Sequence, residues 1–500
     1  MAEAGLDLRV VICAIFAATG AMGVLLLEVF LSRRGSAGKG LLSEERVGSV
    51  LAAIASLALI LAILASWSFF ASGIEASFDP DHPMLRLDSL SSFATAVVAL
   101  SALLSVLLSV TYLAALHIDH GEYYALLLLS TAGAFLLVSA VDLMSVFVGL
   151  ELMSVPLYAL AGFDRRKLRS NEAALKLFLM GAFASGIYLY GAALLYGATG
   201  GLDFVSLRDG LDAGSPMAVA GIGLVVVGFA CKVAAVPFHQ WAPDVYEGAP
   251  TSVTAFLSVT EKLAVFFVLL RVSSVCLAGD SGGGERVLGV FWALSALTMI
   301  VGNVMALVQR NVKRMLAYSA IAHSGYLLLA LATATPEAYG ALLFYLVTYL
   351  FLMLGAFAVV VALAQGGREC ERIEEYEGLA QRRPGLAAAM TLFMLGLVGM
   401  PGTAGFIAKF ELFNAGVQGG LVGLVALAAI MSVVSAFYYV RIPTVMYMRR
   451  HAEAGAAQLS LTELLVLAIC AAAVLYLGIF PSADPLSLEV LELVRSTVGD

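Results

Sequence analysis

Two lysines lie inside hydrophobic segments that proline interrupts. Lys232 stands in GFACKVAAVPFHQWAPDVYEGAP and Lys409 in GLVGMPGTAGFIAKFEL. An ammonium group near the centre of a bilayer is costly, so it persists there only beside a partner or a water-filled cavity. Proline breaks the helix and leaves backbone groups unpaired, which lipid cannot satisfy but a polar cavity can. The combination, once in each half of the chain, predicts a membrane protein that moves protons or small cations.

The composition of the chain indicates that a lipid bilayer is its solvent. Of the 500 residues, 61% are hydrophobic and 13% are charged, and a soluble protein could not bury that much apolar surface. The net charge of −8 argues against nucleic acid as a partner, because nucleic-acid-binding surfaces are basic. The five cysteines are scattered without a CxxC pair, which argues against an iron–sulfur cluster or a metal site in this chain.

Apolar segments long enough to cross about 30 Å of hydrocarbon predict an all-α polytopic membrane protein with about fourteen transmembrane helices. Only Asp142 separates the fourth and fifth segments, and a single bent segment is the alternative there. The predicted spans are 10–31, 47–72, 89–115, 122–141, 143–162, 170–198, 217–240, 252–278, 288–307, 312–332, 338–365, 386–412, 419–447 and 461–481.

Basic residues predict the orientation of the chain. If the N-terminus is outside, seventeen lysines and arginines fall in cytoplasmic loops and five fall in outer loops and tails. This asymmetry follows the positive-inside rule, and the stretch from Arg165 to Arg169 contributes four of the seventeen. Both termini are therefore expected on the outer side of the membrane.

Titratable residues inside the predicted spans are the candidate proton carriers. Lys262 and His323 lie mid-span, and His239 follows Lys232 by seven residues, which would be two helical turns were Pro237 not between them. Imidazole accepts and donates protons near neutral pH, which suits a relay. A histidine that merely bonds two helices together is the alternative interpretation.

Glu151 is the acidic counterpart of these bases, about midway along its span. An isolated carboxylate there would be protonated, whereas a nearby lysine favours its ionised form. Lys176 on the next helix is the expected partner, and a static ion pair that fixes helix packing is the alternative. Glu261 adjoins Lys262 in the sequence but points about 100° away on a regular helix, so the two need not pair.

Arg271 and Arg441 lie near the ends of predicted spans. Long basic side chains at such positions extend to the lipid headgroups. We therefore expect these two arginines to lie at the membrane surface and to take no part in transport.

The two proline-broken spans lie five crossings apart, an odd number, so the units that contain them run in opposite directions. This is the inverted-repeat plan of transporters, in which discontinuous helices carry the site near the midplane. The sequence therefore predicts N-terminal helices in 1–121, a first antiporter-like repeat in 122–278, a second, inverted repeat in 279–447, and a last helix with a short tail in 448–500.

Four runs of sequence indicate a family: VGLELMSVPLYALAGF, KVAAVPFHQWAPDVYEGAPTSVTAFLSVTEKLAVF, NVKRMLAYSAIAHSGYLL and GMPGTAGFIAKFELF. They closely resemble the subunit N family of bacterial NADH–quinone oxidoreductase, respiratory complex I, and the resemblance covers essentially the whole chain. It implies an antiporter-like subunit in the bacterial inner membrane, with other membrane subunits of the complex as partners. It also implies no redox centre or cofactor in this chain, and it places NADH, FMN, iron–sulfur clusters and quinone in partner subunits.

The resemblance assigns roles to individual residues. Glu151 matches the family's essential glutamate and Lys176 its partner lysine. The implied mechanism is that quinone reduction elsewhere in the complex shifts this pair, after which protons pass from Lys232 by way of Lys262 to Lys409. The full set of expected site residues is Glu151, Lys176, Lys232, His239, Lys262, His323 and Lys409.

Other functions remain open alternatives. A subunit of a multisubunit Na⁺(or K⁺)/H⁺ antiporter is the closest, because related antiporter subunits share the broken helices with lysines. A metabolite transporter would line a substrate cavity with polar and aromatic groups, whereas this chain offers a string of single titratable groups. A structural scaffold would not concentrate lysines at helix breaks.

Overall fold

The computed structural model describes residues 6–32, 44–79, 83–210, 215–276, 284–364, 368–449 and 459–480. These residues form helices and one two-stranded antiparallel ribbon, β1 (Ala76–Ser77) with β2 (Arg86–Leu87). The helices are α1 (Ile12–Ser32), α2 (Glu44–Ser72), α3 (Ser89–Leu116), α4 (Gly121–Ser139), α5 (Leu143–Ala161), α6 (Leu168–Thr199), α7 (Phe204–Gly210), α8 (Pro216–Lys232), α9 (Trp241–Gly248), α10 (Thr251–Phe256), a π-helical turn (Leu257–Glu261), α11 (Lys262–Cys276), α12 (Gly284–Leu307), α13 (Val312–Thr333), α14 (Pro336–Ala362), α15 (Leu379–Arg382), α16 (Pro384–Val398), α17 (Ala404–Gln418), α18 (Val422–Met448) and α19 (Leu461–Ile479).

The predicted all-α membrane fold is confirmed. Among the described residues, 12 helical stretches are long and apolar enough to cross a membrane, and α10, the π turn and α11 together form one of them. Two further crossings are discontinuous. One consists of α8 and α9 and the other of α16 and α17, and a short non-helical break separates the two helices of each pair. With these two pairs the number of crossings is about fourteen, as predicted.

The two spans on either side of Asp142 are separate helices. The Asp142 carboxylate accepts hydrogen bonds from the backbone N–H groups of Met144 at 2.7 Å and Ser145 at 2.9 Å. This cap satisfies donors that the start of α5 would otherwise leave unpaired. The single bent segment considered as an alternative is therefore excluded.

Three helical stretches form the centre of the molecule. Thr251–Ser274 and Val312–Thr333 are buried along the whole of their most apolar windows, and Pro336–Ala362 is buried along most of it. The surrounding helices expose large apolar side chains, for example Leu64, Phe183 and Phe437. Such side chains suit a lipid-facing exterior, so charged groups on the three central helices are shielded from lipid by protein.

The basic loops gather at one end of the helix bundle. The Arg166 guanidinium donates to the Leu116 carbonyl at 3.0 Å, and the Val312 N–H donates to the Glu371 carbonyl at 2.7 Å. At the opposite end, the Val141 N–H donates to the Met84 carbonyl at 3.1 Å. We call the first end the basic end, and it comprises residues 116–121, 163–169, 308–314 and 368–384.

Candidate functional site

The first broken helix is held open by side chains of the protein. α8 ends at Lys232 and α9 begins at Trp241. The Trp241 indole N–H donates to the Cys231 carbonyl at 3.0 Å, and the Ser324 hydroxyl donates to the Val233 carbonyl at 2.8 Å. Because these groups take the place of missing helical partners, the break is tolerated at membrane depth.

Lys232 is directed from this break towards helix α5. Its ammonium donates to the Ser154 hydroxyl at 2.8 Å and lies 5.9 Å from the centre of the Tyr158 ring. Ser154 and Tyr158 follow Glu151 by three and seven residues, so all three lie on one face of α5. The buried lysine is thereby connected to the face that carries the glutamate.

A π-helical turn lies at the centre of the site. Leu257–Glu261 has this wider geometry, and α11 begins at Lys262. Glu261 and Lys262 are 5% and 6% exposed, and both line a small cavity that Lys232 also lines. The cavity has about the volume that one water molecule needs. Such π turns occur often at functional sites.

Lys262 is bound by neutral groups of the other two central helices. Its ammonium donates to the Ala320 carbonyl on α13. It also lies 5.1 Å from the centre of the Tyr349 ring on α14. The face of an aromatic ring attracts a cation, most strongly where water is excluded.

His323 lies at the middle of a cluster of tyrosines. Its Nδ1 is 2.7 Å from the Tyr345 hydroxyl, and its Nε2 is 3.2 Å from the Tyr439 hydroxyl. The rings of Tyr349 and Tyr326 have their centres 5.4 Å and 6.0 Å from that of the imidazole. Both ring nitrogens therefore have a partner that can donate or accept, which is what a proton relay needs.

In the second broken helix, a lysine of the second half binds the end of the first half. Lys409 lies on α17, and its ammonium donates to the carbonyls of Leu397 at 3.0 Å and Val398 at 2.8 Å, at the end of α16. It also donates to the Ser432 hydroxyl at 2.9 Å and lies 5.1 Å from the centre of the Tyr326 ring. The last carbonyls of a helix carry partial negative charge, so this position favours a cation.

Glycines shape the segment between α16 and α17. Gly399 and Gly402 have φ angles of +88° and +89°, a region that other residues rarely adopt. Gly405 lies so near α16 that an added Cβ would be 1.9 Å from the Gly396 carbonyl oxygen. Both the backbone conformation and the space available therefore favour glycine in this segment.

The predicted pair of Glu151 with Lys176 is wrong in this structure. The Lys176 ammonium binds Asp244 at 2.6 Å and Glu172 at 2.7 Å, and its side chain is 39% exposed. Glu151 instead accepts a hydrogen bond from the Ser185 hydroxyl on α6. Lys176 lies too close to the basic end of α6, where two carboxylates are nearer to it than Glu151 is.

The structure does not bring His239 into the row of buried groups. It lies in the segment between α8 and α9, half-buried, and its Nδ1 has no hydrogen-bond partner among the described residues. It is also absent from the residues that line the cavity beside Lys232 and Lys262. The helix break displaces it from the face that an unbroken helix would give it.

The expectation that Arg271 extends to the headgroups is wrong. Arg271 is 5% exposed and binds both oxygens of Asp88, at 2.6 and 2.9 Å, so it has a charged partner inside the protein. Arg441 is partly buried and donates to the backbone carbonyls of Leu307 and Gln309, where α12 meets the basic end. Its expected place near the membrane surface stays a prediction.

Carboxylates and bases form a connected network at the basic end. Glu369 is a buried carboxylate of this network, with 8% side-chain exposure, and lies 3.1 Å from Lys167 and 3.7 Å from Lys313. Burial raises the pKa of Glu369, but the two lysines and the hydroxyls of Thr251 and Tyr112 outweigh it and lower that pKa to about 2. Glu369 is therefore a fixed negative charge at neutral pH.

The structure thus brings together four of the predicted residues, Lys232, Lys262, His323 and Lys409, and connects Glu151 to them through α5. Sequence reasoning missed Glu261 in the cavity. It also missed the tyrosines that separate the bases, which are Tyr326, Tyr345, Tyr349 and Tyr439. Tyr345 and Tyr349 are four residues apart on one helix, and that spacing was the available signal.

The chain is similar to known membrane proteins in sequence and in fold. The family model described as "NADH:quinone oxidoreductase/Mrp antiporter, TM" matches residues 140–435. A relative from Trichlorobacter lovleyi, named NADH-quinone oxidoreductase subunit N, is 43% identical over 79% of this chain and 82% of its own length. A chain of respiratory complex I from Thermus thermophilus is similar with TM-score 0.77 and 34% identity, over 94% of this chain and 97% of that one. A chain of the Mrp complex from Dietzia sp. DQ12-45-1b has the same fold, with TM-score 0.83 and 22% identity over 99% and 98% of the two chains.

Proposed function

The chain belongs to the NADH-quinone oxidoreductase subunit N family, and from that premise we propose that it moves protons through the membrane arm of such a complex. The observation that carries the proposal is the row of buried titratable groups from Lys232 to Lys409. Each ammonium in that row is held by neutral oxygens and an aromatic ring. Such a row suits proton transfer, because single titratable groups follow one another in space.

The proposed path has three steps inside the protein. A proton taken up by Lys232 passes to Lys262 through the cavity that both line with Glu261, helped by water in that cavity. From Lys262 it reaches His323, since both groups lie near the Tyr349 ring. His323 passes it on towards Lys409. At each step the donor loses one proton and the acceptor gains it, so every group returns to its first state after one transfer.

We propose that Glu151 controls this path through its charge. Lys232 donates to Ser154, one turn along α5 from Glu151. A change of one unit of charge a few Å from a buried base alters its proton affinity strongly at low dielectric constant. The energy for that change would come from quinone reduction in partner subunits, which we also propose hold NADH, FMN, the iron–sulfur clusters and quinone.

The test is proton pumping by the complete complex in closed vesicles. Lys232→Ala and Lys262→Ala should each lower the number of protons pumped per NADH oxidised, with the complex still assembled. Lys167→Ala is the matched control, because Lys167 is a lysine of the basic end whose side chain is 42% exposed. Wild-type pumping by both alanine variants would overturn the proposal.

The alternative of a cation/proton antiporter is tested by the ions in the same vesicles. The similarity to the Mrp chain, at 22% identity, concerns the fold alone. Proton pumping that continues at the wild-type rate in buffer without Na⁺ or K⁺ is the expected result. Pumping that requires either ion would favour the antiporter.

We propose that the chain crosses a bacterial inner membrane with its basic end in the cytoplasm and both termini in the periplasm. The positive-inside rule supports this orientation, and the basic end carries the Arg165–Arg169 stretch. In a cysteine-free variant, single cysteines are placed in loop 163–169 and in loop 199–216. An impermeant reagent should label only the second in intact cells, and labelling of the first loop alone would reverse the orientation.

We also infer an inverted repeat, with units 122–278 and 279–447. In each unit the broken crossing is the fourth: α4, α5 and α6 precede the first break, and α12, α13 and α14 precede the second. The two lysines support the equivalence, because Lys232 is the last residue of the first half-helix α8 and Lys409 binds the last carbonyls of the first half-helix α16.

A further inference from the structure

A row of hydroxyl groups runs through the buried interior away from the lysines. Ser101, Ser105 and Ser109 follow one another at four-residue spacing on α3, and all three are 0% exposed. Each donates to a backbone carbonyl of its own helix, for example Ser109 to the Ser105 carbonyl at 2.7 Å. Each hydroxyl oxygen can still accept a further hydrogen bond.

The row connects at one side to the basic end. The Ser109 hydroxyl lies 2.8 Å from the Tyr123 hydroxyl on α4, and Tyr123 donates to the Ser252 hydroxyl on α10 at 2.9 Å. The residue before Ser252 is Thr251, whose hydroxyl donates to the Glu369 carboxylate. Hydroxyls of three helices are thus linked by hydrogen bonds from Ser109 to Ser252, and the chain places Thr251, which binds a fixed negative charge, directly before Ser252.

At the other side the row reaches the π turn. The Ser101 hydroxyl lies 2.8 Å from the Thr260 hydroxyl. Thr260 is 1% exposed and directly precedes Glu261, which lines the central cavity with Lys232 and Lys262. The hydroxyls thus lead from the basic end to the cavity between the two lysines.

We propose that these hydroxyls conduct protons from the basic end, beside the ionised Glu369, to Glu261 in the central cavity. The proposal rests on the proposed function, because it supplies the cavity with protons. We call the path the hydroxyl track. Its members are Thr251, Ser252, Tyr123, Ser109, Ser105, Ser101 and Thr260.

Transfer along the track leaves each hydroxyl unchanged overall. A hydroxyl oxygen binds the incoming proton and releases its own hydrogen to the next oxygen, and it then turns back to its starting orientation. Successive serines on α3 have Cβ atoms about 5–6 Å apart, so the proton crosses those steps when a hydroxyl turns away from its carbonyl or a water bridges the gap. The final acceptor is the Glu261 carboxylate, which then gives the proton to a lysine.

Packing alone does not explain the arrangement. A serine in a membrane helix is satisfied by the carbonyl one turn before it, and the α3 serines already have that partner. Contacts between hydroxyls of different helices are additional, and bonds between two side chains are the minority class in proteins. Here three such contacts follow one line, between Ser101 and Thr260, Ser109 and Tyr123, and Tyr123 and Ser252.

The test uses variants that remove one hydroxyl and little else, in the complete complex in vesicles. Thr260→Val removes the hydroxyl and keeps the shape, whereas Thr260→Ser keeps the hydroxyl. Tyr123→Phe interrupts the track where three helices meet. Its matched control is Tyr188→Phe, because the Tyr188 hydroxyl is equally buried but donates to the Leu143 backbone carbonyl at 3.0 Å.

We expect Thr260→Val and Tyr123→Phe to lower the rate of proton pumping at least threefold. Thr260→Ser and Tyr188→Phe should keep the wild-type rate, because serine retains the hydroxyl of the track and Tyr188 lies outside it. Reduction of a soluble electron acceptor by NADH reports whether each complex is assembled. If one variant fails to assemble, the other decides the matter.

Two outcomes separate the hydroxyl track from the proposed function. If Lys232→Ala stops pumping while Thr260→Val and Tyr123→Phe pump at the wild-type rate, the track is overturned and the lysine path stands. If Lys232→Ala also pumps normally, the proposed function itself fails.

Discussion

The interior and the basic end of this protein both hold lysines, but the lysines of the two regions bind different kinds of partner. Lys167 at the basic end and Lys176, on α6 near that end, each bind two carboxylates within 3.4 Å. Within the described part of the chain, no carboxylate oxygen lies within 4.0 Å of the ammonium of Lys232, Lys262 or Lys409. Those three are held by hydroxyls, backbone carbonyls and aromatic rings.

The difference separates two uses of the same side chain. An ion-paired lysine that loses its proton leaves an uncompensated carboxylate behind, which is strongly unfavourable when the pair is buried. A lysine on neutral acceptors leaves only uncharged groups. The basic end is therefore built to keep its charges, and the interior is built to exchange protons.

The strongest test of this contrast is exchange of lysine for arginine, because arginine keeps the charge but does not deprotonate. Lys232→Arg should lower proton pumping at least tenfold in vesicles, nearly as much as Lys232→Ala does. Lys167→Arg at the basic end should pump at the wild-type rate, since only its charge is used there. A Lys232→Arg complex with the wild-type ratio of protons to electrons would leave Lys232 a purely electrostatic role.

The basic end should lose stability when its central charge is removed. The pKa of Glu369 is lowered from its usual 4.5 to about 2, which corresponds to about 3 kcal/mol of stabilisation at neutral pH. Because the pKa is depressed in the folded state, this stabilisation is complete above pH 4.5 and is lost as the pH falls towards 2. Thermal unfolding of wild type and Glu369→Gln should differ most at neutral pH and converge on acidification; an equal difference at all pH values would contradict a fixed anion.

The two broken helices should differ in how far they depend on their lysine. Lys409 bonds the last carbonyls of α16, so Lys409→Met leaves Leu397 and Val398 without that donor, at a cost of about 1–3 kcal/mol for a buried acceptor. The break after α8 is bonded instead by Trp241 and Ser324, so Lys232→Met should destabilise the protein less. Thermal unfolding in detergent compares the two variants, and equal destabilisation would refute the distinction.

The smallest effect is expected at Lys176. Lys176→Arg retains the charge that binds Asp244 and Glu172, so its stability should change by no more than about 0.5 kcal/mol. Proton pumping should stay at the wild-type level. If this variant instead fails to pump, as Lys232→Arg is expected to, then Lys176 also carries protons and the contrast between the two regions breaks down.

The sequence predicted the long helices, the two breaks and the deep lysines, because each depends on local composition. The breaks needed only a proline among apolar residues, and Lys232 and Lys409 were the charges beside them. Partners were harder to predict. Lys176 was paired with Glu151 because they lie on successive helices, whereas the structure gives it Asp244, which is far along the chain.

Other contacts could not be predicted from the sequence, because they depend on local backbone geometry or on residues far apart in the chain. Glu261 is not identified from the sequence, because neighbouring residues on a helix point in different directions, whereas in the structure Glu261 and Lys262 line the same small cavity beside a π turn. Arg271 was placed at the headgroups because Asp88, its buried partner, precedes it by 183 residues. Contacts of this kind depend on tertiary packing, which periodicity and composition do not encode.

The tyrosine rings beside the lysines give the protein a built-in optical readout. Tyr349 lies near both Lys262 and His323, and Tyr326 lies near both Lys409 and His323. A positive charge over a ring perturbs its electronic and vibrational transitions, so loss of a proton from either lysine should shift the ring's infrared and ultraviolet bands. Difference spectra recorded during turnover can therefore follow the charge of each lysine in time, and isotope-labelled or phenylalanine-substituted rings would tell the two lysines apart.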